Sequence, residues 1–413
     1  MRPTDYLTSN QSTVDFASQT ETVVAIHTDA SAFEQLRPEW DGLRQSGADQ
    51  DPFLSCDWFA CWWRAFGGRR KLYLVTVRQG GALRAVLPLM LEQTWRHGIP
   101  VRRLATIGND HTPRFDLVRD RNDECIFMAV WNHLITIQSE WDVLDFCRLS
   151  ADSMMTARFV QCAVDQGVKR SLWARAPTSP WIDVLPSWND YLNARSSGFR
   201  KSIRRKMRRL AALGEVRLET LTDQAALAPG LADGLHIESD GCKGSKRTAI
   251  ASQPSVAGFY TELANLMASR GQLRLHFLTL NNQRIAFDYS LLSDRCLYSL
   301  KAGHSRDHAH LSPGTLLLGL IVQSAHDEGL YGIDLMGDAD SFKMQWTDTT
   351  RAHHWLHCYS DSLRGRWLHL VKCQLLSGLR NASWPLSRTA PPDDDHAVVL
   401  DLHPRTMKVD VVD

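Results

Sequence analysis

Three carboxylates, a lysine and one short turn stand out as groups that could do chemistry. Asp288 lies in Ile285-Ala286-Phe287-Asp288-Tyr289, Asp334 in Ile333-Asp334-Leu335, and Lys301 in Tyr298-Ser299-Leu300-Lys301-Ala302. Each is a charge inside an apolar, strand-like run, which is costly unless the charge is paired or faces a cleft or solvent. His236 and Glu238 sit where a helical pattern runs out into a loop broken by Gly241 and Gly244 and carrying Lys243. An imidazole or carboxylate there suits general-base work; an ordinary charged helix end would look the same. Leu311-Ser312-Pro313-Gly314-Thr315 opens an apolar run, 316–322, after a polar loop that carries His304, Arg306, His308 and His310. A strand, a basic loop and a helix N-terminus make a cradle for a pyrophosphate, because free N–H groups and the positive helix end face the anion.

These groups need elements to position them. Residues 284–292 and 295–303 read as neighbouring strands, Gly329 ends the helix, and 331–336 is the next strand, followed by Gly337 and a Lys343/Trp346 pair. The same order occurs earlier: strand 22–27, helices 30–45 and 55–66, three strands within 72–107, helix 124–137 and strand 141–149. Each half therefore reads strand, helix, helix, three strands, helix, strand. Runs of consecutive strands among helices predict an α/β chain with a mixed sheet. The counterpart of the cradle, 101–149, has no basic loop and no Ser-Pro-Gly, which points the chemistry to the C-terminal half. Between the halves, Arg200, Lys201, Arg204, Arg205, Lys206, Arg208 and Arg209 share a helix with an apolar stripe of Phe199, Ile203, Met207 and Leu210. That pattern fits a solvated helix, a phosphate clamp, an RNA patch or a contact with an anionic surface.

Composition narrows the classes. A chain of 413 residues exceeds one ordinary domain, and 44% hydrophobic with 23% charged residues is the profile of a water-soluble globular protein. A net charge of +1 gives no global drive towards DNA or membranes. The 9 cysteines are scattered, with no C-x-x-C pair, which predicts reduced thiols and a cytoplasmic setting. No apolar run approaches the ~18 residues of a membrane span. His353 and His357 flank Trp355, but no Cys or carboxylate completes a metal-ligand spacing, so no metal is expected. The signatures of serine hydrolases, zincins, P-loop enzymes and dinucleotide-binding folds are missing. Boundaries are expected at 1–20 (flexible), 21–186 (N-terminal domain), 187–360 (C-terminal domain), 361–384 (a helix) and 385–413 (a disordered tail with a short strand at 397–402). The aromatics Trp58, Phe59, Trp62, Trp63 and Phe66 read as core.

Glu238-Ser-Asp-Gly-Cys-Lys-Gly244, Ile285-Ala-Phe-Asp288, Leu297-Tyr-Ser-Leu-Lys301, Leu311-Ser-Pro-Gly314, Ile333-Asp-Leu-Met-Gly337 and Phe342-Lys343 with Trp346 resemble, in order, the bacterial BioF2-like, CelD-type acetyltransferases of cellulose biosynthesis. Those belong to the GNAT superfamily and are related to FemAB-like transferases. The resemblance spans about 190–360 and extends loosely into the N-terminal half. Cys242 stands where the family usually has Trp, and His304 where Tyr is common. The resemblance implies two tandem GNAT-like domains in a FemAB-like arrangement, and transfer of an acyl group from acetyl-CoA or another acyl-CoA to an amine or hydroxyl. Exopolysaccharide or cell-envelope synthesis would supply a small-molecule or saccharide acceptor. Glu238, Asp288 or Asp334 would take the acceptor's proton. Lys301, Arg306, Ser312, Gly314 and Thr315 would hold the donor, and His236, Lys243, His304, Lys343 and Trp346 would line the acceptor side. Two alternatives follow from the same relatives: an aminoacyl-tRNA donor, with residues 200–209 as the RNA contact, or a non-catalytic binding or scaffold protein of a polysaccharide machine.

Overall fold

The computed structural model describes residues 21–46, 51–119, 123–165, 170–241, 250–375 and 400–401. The first segment runs β1 (Thr22–His27), α1 (Ala32–Ser46), α2 (Cys56–Phe66), β2 (Lys71–Gln79), β3 (Ala82–Arg96), β4 (Ile99–Thr106), β5 (Val118–Arg119), α3 (Glu124–Thr136), β6 (Val143–Ser150), α4 (Met154–Asp165) and β7 (Ser171–Asp183). Helices α5 (Trp188–Ala194) and α6 (Ser197–Ala211) lead into the second. It runs β8 (Val216–Leu221), α7 (Leu227–Asp240), α8 (Pro254–Ser269), β9 (Leu273–Leu280), β10 (Gln283–Ser293), β11 (Cys296–His304), α9 (Pro313–Asp327), β12 (Gly332–Asp334), β13 (Thr349–Tyr359) and α10 (Leu363–His369). A π-helical turn, Leu370–Leu375, continues α10. A short strand, β14 (Leu400–Asp401), pairs with β7.

The repeat of element order is realised as one continuous sheet, ordered β1-β2-β3-β4-β6-β13-β7-β12-β11-β10-β9-β8. Its two halves mirror each other. β4 and β6 are parallel, as are β11 and β12, and every other neighbouring pair along the path is antiparallel. The last strand of each half is exchanged. β7 joins β12 of the second half, β13 joins β6 of the first, and β7 and β13 pair with each other along the seam. The halves therefore share backbone hydrogen bonds rather than a side-chain interface alone.

Local chemistry sets the element ends. Ser55 caps α2 by accepting the Trp58 N–H at 3.1 Å, and Ser196 caps α6 by accepting that of Phe199 at 3.2 Å. α9 ends at Gly329, whose φ of 64° is the left-handed conformation that glycine adopts without a Cβ clash. Trp58, Phe59 and Trp62 are fully buried in a core that runs from α1 and α2 into the α8 side of the second half. A second core lies beneath α6 and α9, where Leu210 is fully buried and Phe199, Ile203 and Met207 pack alongside it. The apolar stripe of the basic helix thus docks on the body as its spacing predicts.

Candidate functional site

Short parallel pairing opens a gap in the second half. β11 and β12 stay together for only three pairs, from Cys296 opposite Gly332 to Tyr298 opposite Asp334. β11 then continues to His304, whereas the other chain turns away through Met336 (φ 49°) and Gly337 (φ 59°). α9 begins against the resulting cleft. A cavity of about 450 Å³ fills it, with Leu317, Leu318, Ile321, Leu335 and Phe342 as apolar wall. Asp288, Ser299, His304, Ser312, Gly314, Thr315 and Lys343 supply its polar lining.

The start of α9 decides which donors remain for a ligand. Ser312 sits in the left-handed conformation (φ 58°, ψ 49°) and gives its N–H to the Ala309 carbonyl at 3.0 Å. Its own carbonyl accepts the N–H groups of Thr315 and Leu316 at 3.1 and 3.2 Å. Pro313 has no N–H. Of this turn, the Gly314 N–H alone has no acceptor among the described residues. A Cβ at Gly314 would stand 3.5 Å from His304 Nδ1, so glycine keeps this part of the cavity open. The Lys343 ammonium donates to the Met336 carbonyl at 2.6 Å and approaches that of Asp338 at 3.5 Å, pinning the turn that forms the far wall.

Asp288 stands at the floor, 3% exposed. Ser299 donates to its Oδ2 at 2.5 Å and Ser290 donates to Oδ1. His276, its register partner on β9, places Nδ1 3.5 Å from Oδ1. This group of an aspartate, two hydroxyls and a histidine reaches the cavity through Asp288 and Ser299. Sequence reading found Asp288 and missed the other three. The turn at Asn281 and Asn282 alone would set Leu275 opposite Asp288; a bulge at Ile285 shifts the register by one and brings His276 there, and no local pattern records that shift.

Other candidates fall elsewhere. Asp334 is fully buried beside Tyr298, on the sheet face opposite Ser299 and Asp288. It pairs with Arg114, accepts the Met336 N–H at 2.9 Å and lies 3.8 Å from Arg351. Arg114 also binds Asp51 at 3.0 Å and lies over the rings of Phe53 and Tyr298. Asp334 is thus a tie between the halves. Its counterpart in the parallel ladder of the first half is Asp145, equally buried and also held by arginine. Lys301 extends towards the Tyr260 ring, 5.5 Å away, near His111. Burial first, and Lys301 second, push the His111 imidazole down to about 4. Glu238 accepts the Ile250 N–H at 2.8 Å and packs where a Cβ on Gly303 would meet its Cα at 2.6 Å. His236 lines a separate groove with Arg217, Glu219 and Arg284. Arg306 is exposed, and its N–H bonds Asp240 at 2.9 Å. Trp346 is a core peg, fully buried against Gly319 and edge-on to Phe199 at 5.0 Å. Lys243 and Cys242 lie outside the described residues. His353 and His357 do not converge: His357 bonds Asp145 at 2.6 Å, while His353 feels Arg114 and Asp334. Among the described residues no three metal-ligating side chains cluster, and no helix is long and apolar enough to cross a membrane.

Comparison with known proteins agrees with this geometry. Residues 197–344, which contain the cavity, match the family model of the acetyltransferase (GNAT) domain. No curated protein sequence matches the chain. Among solved structures, FemX superposes with a TM-score of 0.55 at 11% identity over 84% of this chain and all of FemX (100%). The C-terminal domain of a putative lysylphosphatidylglycerol synthetase from Agrobacterium fabrum gives a TM-score of 0.48 at 14% identity, covering 80% of this chain and 94% of that one. A tandem GNAT protein from the clavulanic acid biosynthesis pathway gives 0.41 at 14% identity, covering 81% and 98%. Residues 197–344 are thus similar to the acetyltransferase (GNAT) domain, within a FemX-like fold of two GNAT-like halves.

Proposed function

We propose that the second half transfers an acyl group, acetyl in the first instance, from an acyl-CoA to an amine or hydroxyl acceptor. The observation that carries this reading is the 450 Å³ cavity between the parted strands β11 and β12, with an apolar wall and a helix start at its polar end, inside the segment matched by the GNAT model. The residues present fit such a donor. The apolar wall suits an alkyl arm, and the Gly314 N–H, with His304 beside it, suits a phosphate. When bound, the donor supplies a thioester-activated acyl group. The chain's own groups orient it, exclude water and accept a proton. Asp288 takes the acceptor's proton, directly or through the Ser299 hydroxyl, and a backbone N–H of β11 polarises the acyl carbonyl. Most of the acceleration then comes from positioning. The resemblance to BioF2-like and CelD-type proteins favours a saccharide or amino-sugar acceptor of envelope or exopolysaccharide synthesis.

The test is a binding and turnover screen. Mass spectrometry of the purified protein should find a CoA ester, and acetyl-CoA should release free thiol when a panel of amino sugars is added. Absence of CoA-ester binding by calorimetry would overturn the reading.

One observation favours a second reading. On α6, Lys201, Arg204, Arg205, Lys206, Arg208 and Arg209 have no carboxylate partner among the described residues, and the helix packs against the turn that precedes α9. A donor carried on RNA would place its phosphates there. Stabilisation by tRNA and not by acetyl-CoA in a thermal-shift assay selects this alternative.

A further inference from the structure

The first half carries a cavity of its own, about 250 Å³, where β4 and β6 part after three parallel pairs. It is composite, because β13 arrives from the other end of the chain and contributes Trp355 and His357 to the wall. Asp145 sits at its base, where Arg103 binds it at 2.5 Å, Arg96 at 3.4 Å and His357 Nδ1 at 2.6 Å. Both oxygens of this carboxylate are engaged. His357 donates Nδ1–H to Asp145 and stands in the wall beside Arg148.

Arg148 is the residue that changes the character of this space. Regular alternation would send Cys147 and Arg148 to opposite faces of β6, yet both line the cavity. A bulge explains it. Between the pairs Phe146–Leu356 and Leu149–His354, two residues of β6 face Trp355 alone. Arg148 occupies the left-handed region at φ 55°, and its carbonyl is fixed by the Phe115 N–H at 3.1 Å. Glycine would take that conformation at lower cost, so a large cation held there is an outlier that asks for a use. The guanidinium makes no ion pair or hydrogen bond among the described residues. The cavity's other carboxylate, Asp110, is exposed at the rim.

We propose that this pocket is a second ligand site, which binds a compact anionic group, a carboxylate or a phosphate, on Arg148, with Trp355 and His357 in the adjoining wall. Its volume admits the anion and a small attached fragment, not a nucleotide. The inference is independent of the acyl-transfer reading, since none of its residues lines the cavity of the second half. The test is an NMR titration of the whole protein, following the His357 imidazole and Trp355 indole resonances. Inorganic phosphate is the probe in one arm and acetate in the other, at low ionic strength. One probe should saturate those shifts, and which one does identifies the anion. Arg148→Ala and Arg148→Gly should weaken that binding at least tenfold, and the glycine variant removes the conformational strain and so keeps the fold. An Arg204→Ala/Arg205→Ala variant of α6 should bind as wild type. Failure of both probes to saturate, unchanged binding in both Arg148 variants, or loss of binding in the α6 variant would each overturn the site.

Discussion

Replacing Asp334 by Asn separates a structural carboxylate from a catalytic one. The side chain keeps its shape, and its Oδ1 can still accept the Met336 N–H now held at 2.9 Å. What disappears is the negative charge beside Arg114. That guanidinium is buried, and its charged state is held by Asp51 and Asp334 against the cost of desolvation. Removing one partner of a buried pair costs about 3–5 kcal/mol, because the remaining charge is left uncompensated. Asp51 stays in place at 3.0 Å, so the lower end applies and the expected loss is about 3 kcal/mol. Urea unfolding followed by tryptophan fluorescence reads this directly, and kcat measured well below the transition should stay within a few-fold of wild type. A second variant, Arg114→Met with Asp334→Leu and Asp51→Asn, removes the whole charged cluster and should recover much of the loss. An Asp334→Asn protein of unchanged stability but greatly reduced kcat would refute the reasoning and return Asp334 to the chemistry.

Other outcomes follow from the same geometry. Asp288→Asn should lower kcat by about 10²–10⁴ with the Kd for acetyl-CoA little changed, the mark of a lost general base; a wild-type rate would remove Asp288 from the mechanism. Gly303→Ala should destabilise by about 1–3 kcal/mol, since its Cβ would lie 2.6 Å from the Glu238 backbone and neither β11 nor α7 can retreat freely. Denaturation equal to wild type would show that the contact relaxes. His353, buried and beside Arg114, has its imidazole pushed down to about 4 from an ordinary 6.5. The neutral form is the one the fold prefers, so His353 costs nothing above pH 6.5. As the pH falls from 6.5 to 4 the unfolded chain takes up a proton that the folded one refuses, and about 3 kcal/mol is lost. His353→Gln should flatten that part of the stability–pH curve, and an unchanged slope would show that His353 does not cause it.

Much of this architecture was legible in the order of residues. The repeated series of strands and helices, the Ser312-Pro313-Gly314 opening of α9, Gly329 at its end and the single apolar stripe of α6 all depend on local periodicity and turn chemistry. Asp288 could be picked out because a lone carboxylate in an apolar strand announces itself. The same argument picked out Asp334 and Lys301 equally, and here local reasoning reached its limit. Which face of a sheet a residue occupies alternates with every step, and a single bulge inverts it. The bulge after Tyr289 and the one opposite Trp355 are such places.

Sequence by itself thus determined the elements, their repeat and the helix start at residues 312–315. Only the tertiary structure decided the exchange of β7 and β13, because strand pairing across the seam is a contest among distant edges that no local pattern records. It also decided that Asp334 meets Arg114, 220 positions away, while Asp288 faces the cavity with Ser299. A buried charge is assigned its role by the partner that neutralises it, and that partner is fixed by the fold.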